Sequence, residues 1–172
     1  VNFTVEGQVT GYSYVGGVVG YAEQAIIENV INKAIINGYN YVGGIAGRLV
    51  KTQVTNVYNM CDITATQHYT GGISGHSAET ELTNAFNYGL ISANAYVGGI
   101  IGSADNLTDI LNVYNRNHVF GSGNYVGGIT GYLNNSTLEQ AYSAGMVGGS
   151  DQAYLGGLVG RVDGTSYEAH AY

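Results

Sequence analysis

The chain has 172 residues and a formal net charge of −7, from five Lys and Arg against twelve Asp and Glu. This balance argues against nucleic acid as a partner and against anionic membrane surfaces, because both require clustered cations. Gly is abundant at 28 residues, Pro is absent and 45% of residues are hydrophobic, which disfavours collagen, a flexible linker and a disordered chain.

One seven-residue stretch of the form Tyr-Val-Gly-Gly-Ile-x-Gly occurs six times. Successive copies are 27, 28, 27, 29 and 29 residues apart. A fixed period of this size indicates a stacked repeat protein, in which neighbouring units share one core. We therefore expect residues 1–172 to form a single repeat domain, with a partial unit over 1–13. The copies begin at Tyr14, Tyr41, Tyr69, Tyr96, Tyr125 and Tyr154.

A second block, Asn-Val-Tyr-Asn in its commonest form, follows each of the first five tyrosines by 15 or 16 residues. An apolar residue precedes the block by two positions, as at Ile27, and another follows its first residue by seven, as at Ile36. Each unit should therefore contain three short extended segments. These are the Gly-rich stretch, the stretch around the Asn block, and a third segment that ends at Ile36 or its equivalents.

Alternating hydrophobic residues, β-branched and aromatic enrichment, and the lack of a long 3.6-residue period all predict strands. A repeat near 28 residues is too short for a propeller blade, which takes about 40–45. It suits one coil of a parallel β-solenoid, where identical positions stack because a single coil cannot bury its apolar face. The predicted fold is all-β, a parallel β-solenoid (β-helix-like) of about six coils.

Stacking of identical positions predicts several ladders along the solenoid. The six motif tyrosines should form an aromatic ladder, and Asn29, Asn56, Asn84 and Asn112 should pass side-chain amide hydrogen bonds from coil to coil. Val30 follows Ile27 by three residues instead of two, which suggests a bend at Asn29. An inward aliphatic column is expected at Val18, Ile45, Ile73, Ile100, Ile129 and Leu158.

The last unit departs from the pattern. Ser166 stands where an apolar residue is expected, and residues 168–171 read Glu-Ala-His-Ala in place of the Asn block. The unit is either a capping coil or a repeat that is cut in the middle. Because the chain also starts in the middle of a repeat, we expect it to be a fragment of a longer protein. No apolar run approaches the roughly 18 residues of a membrane span, so no membrane insertion is predicted.

No catalytic, cofactor-binding or metal-binding residue is predicted, and the chain is not expected to be an enzyme. The four histidines do not form the His-Glu-x-x-His pattern of a zinc peptidase; the nearest approach is His76 with Glu79. The Gly-rich stretches lack the Gly-Lys-Ser/Thr of a phosphate loop. The single Cys61 occupies a position of small residues and is expected to be an unreactive thiol.

Acidic residues close to one another would suggest paired catalytic carboxylates or a weak Ca²⁺ site. Glu28 and Glu139 share a repeat position but lie four coils apart. Two loop pairs remain, Glu79 with Glu81 and Asp105 with Asp109, and both are expected to be solvated acidic loops.

One variable position suggests recognition. The residue after the last motif Gly differs between repeats while the motif itself does not, which predicts an outward stripe, either a contact surface or an unconstrained surface position. The stripe comprises Tyr21, Arg48, His76, Ser103, Tyr132 and Arg161.

The repeated heptapeptide resembles the GLUG motif, named for a Gly-Leu-any-Gly core and matched most literally by residues 157–160. The resemblance implies a bacterial surface or secreted protein, because such repeats accompany adhesin-like proteins and immunoglobulin-A-cleaving metallopeptidases. It implies a non-catalytic stalk, spacer or adhesive surface, with a host or environmental glycan or protein and the parent chain's other domains as partners. The alternative is a substrate-binding or scaffold part of a larger secreted enzyme, a carbohydrate-active β-helix or a peptidase.

Overall fold

The structure is a computed structural model that describes residues 3–150 and 153–169. All strand pairs among these residues are parallel. Paired residues lie one repeat apart, as in Val42 with Thr70 and Ala46 with Ser74. The side chains of 167–169 are not described. Parallel pairing at the repeat distance confirms the predicted β-solenoid. The described residues form strands and no helix, so none of their segments is a helix able to cross a membrane.

Each complete coil after the first has four strands, and equivalent strands stack into four walls. In each coil the wall 1 strand begins just before or just after the motif tyrosine, and the wall 2 strand begins after the paired glycines. The strands of wall 1 are Ser13–Gly16, Asn40–Gly43, His68–Gly71, Ala95–Gly98, Val126–Gly127 and Leu155–Gly156. The strands of wall 2 are Val19–Glu23, Ala46–Val50, Ser74–Ala78, Ile101–Asp105, Thr130–Asn134 and Val159–Asp163.

Walls 3 and 4 complete the coil. In the first coil one strand, Ile26–Gly38, spans both walls, and Phe3–Thr10 pairs with its second half. The other strands of wall 3 are Gln53–Asn59, Glu81–Asn87, Asp109–Asn115, Thr137–Ser143 and Tyr167–Ala169. The other strands of wall 4 are Ile63–Ala65, Ile91–Ala93, Val119–Gly121 and Val147–Gly149.

The prediction of three segments per coil was wrong in two respects. The Gly-rich stretch is two strands, because the chain bends between Gly43 and Ala46 and at the equivalent positions. The last segment begins at the Ile36 equivalents instead of ending there, as Ile63–Ala65 and Ile91–Ala93 show.

Two apolar cores run along the solenoid. The larger lies between walls 2 and 3, and it includes the predicted aliphatic column at Ile45, Ile73, Ile100 and Ile129, all fully buried. At the two ends of the column Val18 is 41% exposed and Leu158 is partly buried. The second core, between walls 1 and 4, is built from Val42, Ile63 and their equivalents.

A buried amide ladder lies between the two cores, and the sequence did not predict it. The last Asn of each block is fully buried, and its Nδ2 donates to Oδ1 of the next coil's residue: Asn32 to Asn59, Asn59 to Asn87 and Asn87 to Asn115, at 2.7–2.8 Å. The second glycine of the motif makes room for this ladder. A Cβ on Gly99 would lie 2.4 Å from the Asn115 side chain.

Residues in the left-handed region explain the three-residue spacings. Asn29, Asn56, Asn84 and Asn112 have φ between 53° and 58°, which confirms the bend suspected at Asn29. A left-handed residue breaks the strand alternation, so both Val54 and Val57 point inward. Asn tolerates this conformation better than most residues, which accounts for its recurrence.

The final coil returns to wall 3 in a shifted register. Tyr167–Ala169 pairs with wall 3 so that Glu168, and not Ser166, lies opposite Leu138. Ser166 is instead the equivalent of Ser136, whose backbone N–H donates to Ser166 Oγ at 3.3 Å. The repeat position predicted for Ser166 was therefore wrong by two residues. The remainder of the predicted Glu-Ala-His-Ala segment, His170 and Ala171, lies outside the described residues.

Replacing Thr70 with valine should stabilise the protein. Thr70 is fully buried in register with Val42 and Val97, and its hydroxyl has no hydrogen-bond partner among the described residues. Removing an unsatisfied buried hydroxyl should gain about 1–2 kcal/mol. Chemical denaturation of wild type and Thr70→Val measures the change. The exposed Thr64→Val is the control, and a destabilised Thr70→Val would show that the hydroxyl has a partner.

Candidate functional site

Walls 1 and 2 meet at a concave corner where their outward side chains contact each other. Wall 1 contributes the predicted tyrosine ladder, which the structure confirms along all six coils. Consecutive ring centroids from Tyr14 to Tyr154 lie 4.9, 4.7, 4.6, 4.8 and 5.4 Å apart. Because the rings stack along the solenoid axis, most of their faces are covered and their edges and hydroxyls point outward.

Wall 2 contributes the predicted stripe, whose six members are in register. Four of them contact the tyrosine ladder: Tyr21, His76, Tyr132 and Arg161. His76 meets Tyr41 and Tyr69 edge-on at 6.1 and 5.8 Å, and the Arg161 guanidinium lies 5.5 Å from the Tyr125 ring centroid. The walls come this close because the residue before the stripe is glycine. A Cβ on Gly47 would lie 2.5 Å from the Tyr14 backbone.

A row of acids two residues beyond the stripe holds its side chains in place. The Tyr21 hydroxyl donates to Glu23 at 3.0 Å, the Tyr132 hydroxyl donates to Asp163 at 2.9 Å, and Arg161 pairs with Asp163 at 2.8 Å. Burial and the Asp163 carboxylate raise the pKa of Tyr132 to about 12. Tyr132 is therefore a neutral hydrogen-bond donor at physiological pH.

The centre of the corner is a cluster around Asp105. His76 Nε2 lies 3.2 Å from Asp105 Oδ2, Ser103 Oγ donates to the same oxygen at 2.7 Å, and Asn134 Nδ2 donates to Oδ1 at 3.1 Å. Burial favours a higher pKa for Asp105, but these hydrogen bonds outweigh it and place the pKa below its usual range. Asp105 therefore stabilises the fold above its ordinary pKa, and this stabilisation is lost as the pH falls through the lowered value.

This cluster is not arranged for nucleophilic catalysis. A nucleophilic serine donates to its histidine, whereas Ser103 donates to Asp105. Ser103 is also only 1% exposed, so the expectation of an outward, accessible stripe was wrong at this position. The cause is the concave corner, which covers a short side chain between larger neighbours.

The prediction of solvated acidic loops is confirmed for Glu79, which is exposed between two strands, and is wrong for the other three acids, which lie in strands. Asp105 joins the corner, while Asp109 lies on wall 3 in register with Glu81. Glu79 pairs with Lys51 at 3.8 Å. Glu28 and Glu139 stay at opposite ends of one row, with Thr55, Thr83 and Leu111 between them. Among the described residues no three His, Cys, Asp or Glu side chains are placed to hold a metal ion.

The surroundings of Cys61 agree with the predicted unreactive thiol. Its Sγ donates to the Lys33 carbonyl oxygen at 2.8 Å, and burial is the main cause of a pKa above the ordinary thiol value. A raised pKa keeps the thiol protonated, which lowers its nucleophilicity.

Wall 3 carries an outward aromatic row that was not predicted from the sequence. The third residue of each block forms this row, with Tyr58 stacked on Phe86 at 5.1 Å and Tyr114 stacked on Tyr142 at 5.2 Å. The repeated aromatic at this position was the available signal. The row comprises Ile31, Tyr58, Phe86, Tyr114 and Tyr142.

Comparison with known proteins identifies the repeat. Residues 11–37 match the family model described as Glug, the GLUG motif. Searches of curated proteins and of solved structures found no match. The matched segment covers the first complete coil from just before Tyr14 to the end of its wall 4 strand, and the later coils repeat its register. The first complete coil therefore matches the GLUG motif, which agrees with the resemblance seen in the sequence.

Proposed function

We propose that the chain is a non-catalytic segment of a bacterial cell-surface or secreted protein, where it serves as a stalk or spacer and offers a recognition surface. The observation that carries this proposal is the continuity of the ladders. The tyrosine ladder runs through all six coils, and the buried amide ladder and the aliphatic column cross most of them. Stacked ladders of this kind make a stiff rod, which suits holding one domain away from another.

The location can be tested with an antibody raised against this chain. Intact cells of the source bacterium should be labelled, and mild protease treatment should remove the label while a cytoplasmic marker stays intact. Labelling that appears only after the cells are lysed would contradict an exterior location.

A second candidate is a substrate-binding part of a larger secreted enzyme. One observation favours it: Glu81, Asp109 and Glu139 line a hollow of about 300 Å³ on wall 3. Glycosidases use two carboxylates about 5–9 Å apart on the two sides of the scissile bond. A reducing-sugar assay on soluble polysaccharides separates the two candidates. We expect no activity, and activity that disappears in Asp109→Asn would establish the enzyme instead.

A further inference from the structure

The outward face of wall 3 contains two adjoining hollows. The larger, of about 390 Å³, is lined by Ile31, Lys33, Tyr58, Met60 and Tyr88. The smaller, of about 200 Å³, is lined by Asn29, Ile31, Asn56 and Tyr58. They share Ile31 and Tyr58, so together they form one groove across the first three coils. The larger hollow is within the range of about 300–1,000 Å³ that small-molecule sites occupy.

The aromatic rings of the larger hollow are not fully used by the stack. Tyr58 stacks on Phe86 on one side, but the residue in register on its other side is the aliphatic Ile31. Tyr88 meets Tyr114 edge-on, with an interplanar angle of 88°. No aromatic ring of the described residues stacks face to face on Tyr88, in contrast to the inner rings of the tyrosine ladder in wall 1. Met60 beside it is 46% exposed.

Uncharged hydrogen-bonding groups border the same rings. Neither the Tyr58 nor the Tyr88 hydroxyl has a hydrogen-bond partner among the described residues. In the smaller hollow, Asn56 Nδ2 donates to Asn29 Oδ1 at 3.2 Å. This leaves one Nδ2 proton of Asn56 and both of Asn29 without an acceptor among the described residues. The groove thus combines apolar ring faces with amide and phenol groups.

Charge and backbone pairing restrict the class of ligand. Lys33 is paired with Glu6 at 3.3 Å, and the chain carries a net charge of −7, so a polyanion gains little here and is repelled overall. The strand Gln53–Asn59 is paired on both sides, so no free backbone edge is available for an added peptide strand. A ligand must be bound by side chains alone.

We propose that this groove binds an uncharged oligosaccharide of at least two sugar units. The C–H face of one pyranose lies on Tyr88 beside Met60, and its hydroxyls bond the phenols of Tyr58 and Tyr88. The next sugar bonds the amides of Asn29 and Asn56. This proposal rests on the recognition role proposed above and gives it a ligand class, but it does not depend on where in the cell the protein lies.

The two methionines of the chain, Met60 and Met146, provide a site-specific test. Met60 lines the groove, whereas Met146 follows the wall 3 strand at the far end of the solenoid. With ¹³C-methyl methionine, titration with cellohexaose, mannohexaose and chitohexaose should shift the Met60 signal saturably for at least one of them. The Met146 signal should stay in place, and hexagalacturonate should have no effect.

Two variants locate the binding groups. Tyr88→Ala should weaken the affinity of the responding oligosaccharide about tenfold or more, while Tyr142→Ala in the last coils of the same face should not. Asn56→Gly removes an amide without straining the left-handed backbone and should weaken binding, whereas Asn112→Gly should not. Thermal melts confirm that each variant is folded.

Four results would overturn the proposal. The first is the absence of a Met60 shift with every oligosaccharide up to about 10 mM, a concentration at which even weak complexes form. The second is an equal shift of Met146, and the third is a Met60 shift that survives in Tyr88→Ala. A Met60 shift produced by an apolar peptide but by no sugar would also overturn it. Each of these outcomes is independent of the antibody experiment, so the ligand and the location fail or succeed separately.

Discussion

Replacing Ile100 with aspartate should destabilise the protein by about 4–5 kcal/mol or more. It should prevent folding if the wild-type free energy of unfolding is smaller than this loss. Ile100 is fully buried in the larger core, between Ile73 and Ile129 of the neighbouring coils. An unpaired carboxylate cannot be solvated there, and the neighbours in both directions of the column lose contacts. Chemical denaturation followed by far-ultraviolet circular dichroism measures the loss.

Leu107→Asp is the matched control, because Leu107 is 77% exposed and has a φ of 60°, which aspartate tolerates at least as well as leucine. It should change stability by less than about 0.5 kcal/mol. Ser103 would be a poor control, since its 1% exposure and its bond to Asp105 make it part of the corner.

The pH dependence adds a second readout for Ile100→Asp. Burial raises the pKa of the introduced carboxyl in the folded state above its unfolded value, so folding binds a proton. The loss relative to wild type should be smallest below the unfolded value of about 4 and should grow as the pH rises through it. A loss that is equal to that of Leu107→Asp at every pH would refute the inward column.

Features that depend on repetition alone could be predicted from the sequence. Identical residues at one repeat position must lie above one another in a solenoid, so the ladders that start at Tyr14 and Asn29 followed from their spacing. The suspected bend at Asn29 followed from a local break in alternation, and its φ of 58° gives the physical reason.

Features that depend on the shape of the coil could not be predicted. The concave corner between walls 1 and 2 arises from bends whose angles are set by packing across the coil, including the contact of Gly99 with Asn115. The sequence therefore did not reveal that Ser103 is covered, or that Asp109 lies beside Glu81 instead of Asp105. The groove on wall 3 was missed for the same reason, since a hollow requires side chains from two coils and two strand positions.

Replacing Asn87 with aspartate, a substitution of nearly equal volume, should cost about 3–5 kcal/mol. Asn87 Nδ2 donates to the Gly89 carbonyl oxygen and to Asn115 Oδ1, both at 2.8 Å, while Oδ1 accepts from Asn59 Nδ2 at 2.7 Å. A carboxylate would replace the two donated bonds with contacts between acceptors in a fully buried site.

Asn84→Asp is the control for the Asn87 variant, because both residues belong to amide ladders in the same strand. Asn84 is only partly buried, donates a single side-chain bond to Asn56 Oδ1 at 2.9 Å, and has a φ of 55° that aspartate accepts. Water can solvate its carboxylate, so the expected cost is about 1 kcal/mol. Equal losses for the two variants in chemical denaturation would mean that the buried ladder contributes no more than the surface one. A much larger loss at Asn87 would show that the buried amide column, for which the second glycine of the motif makes room, stabilises the inside of the solenoid.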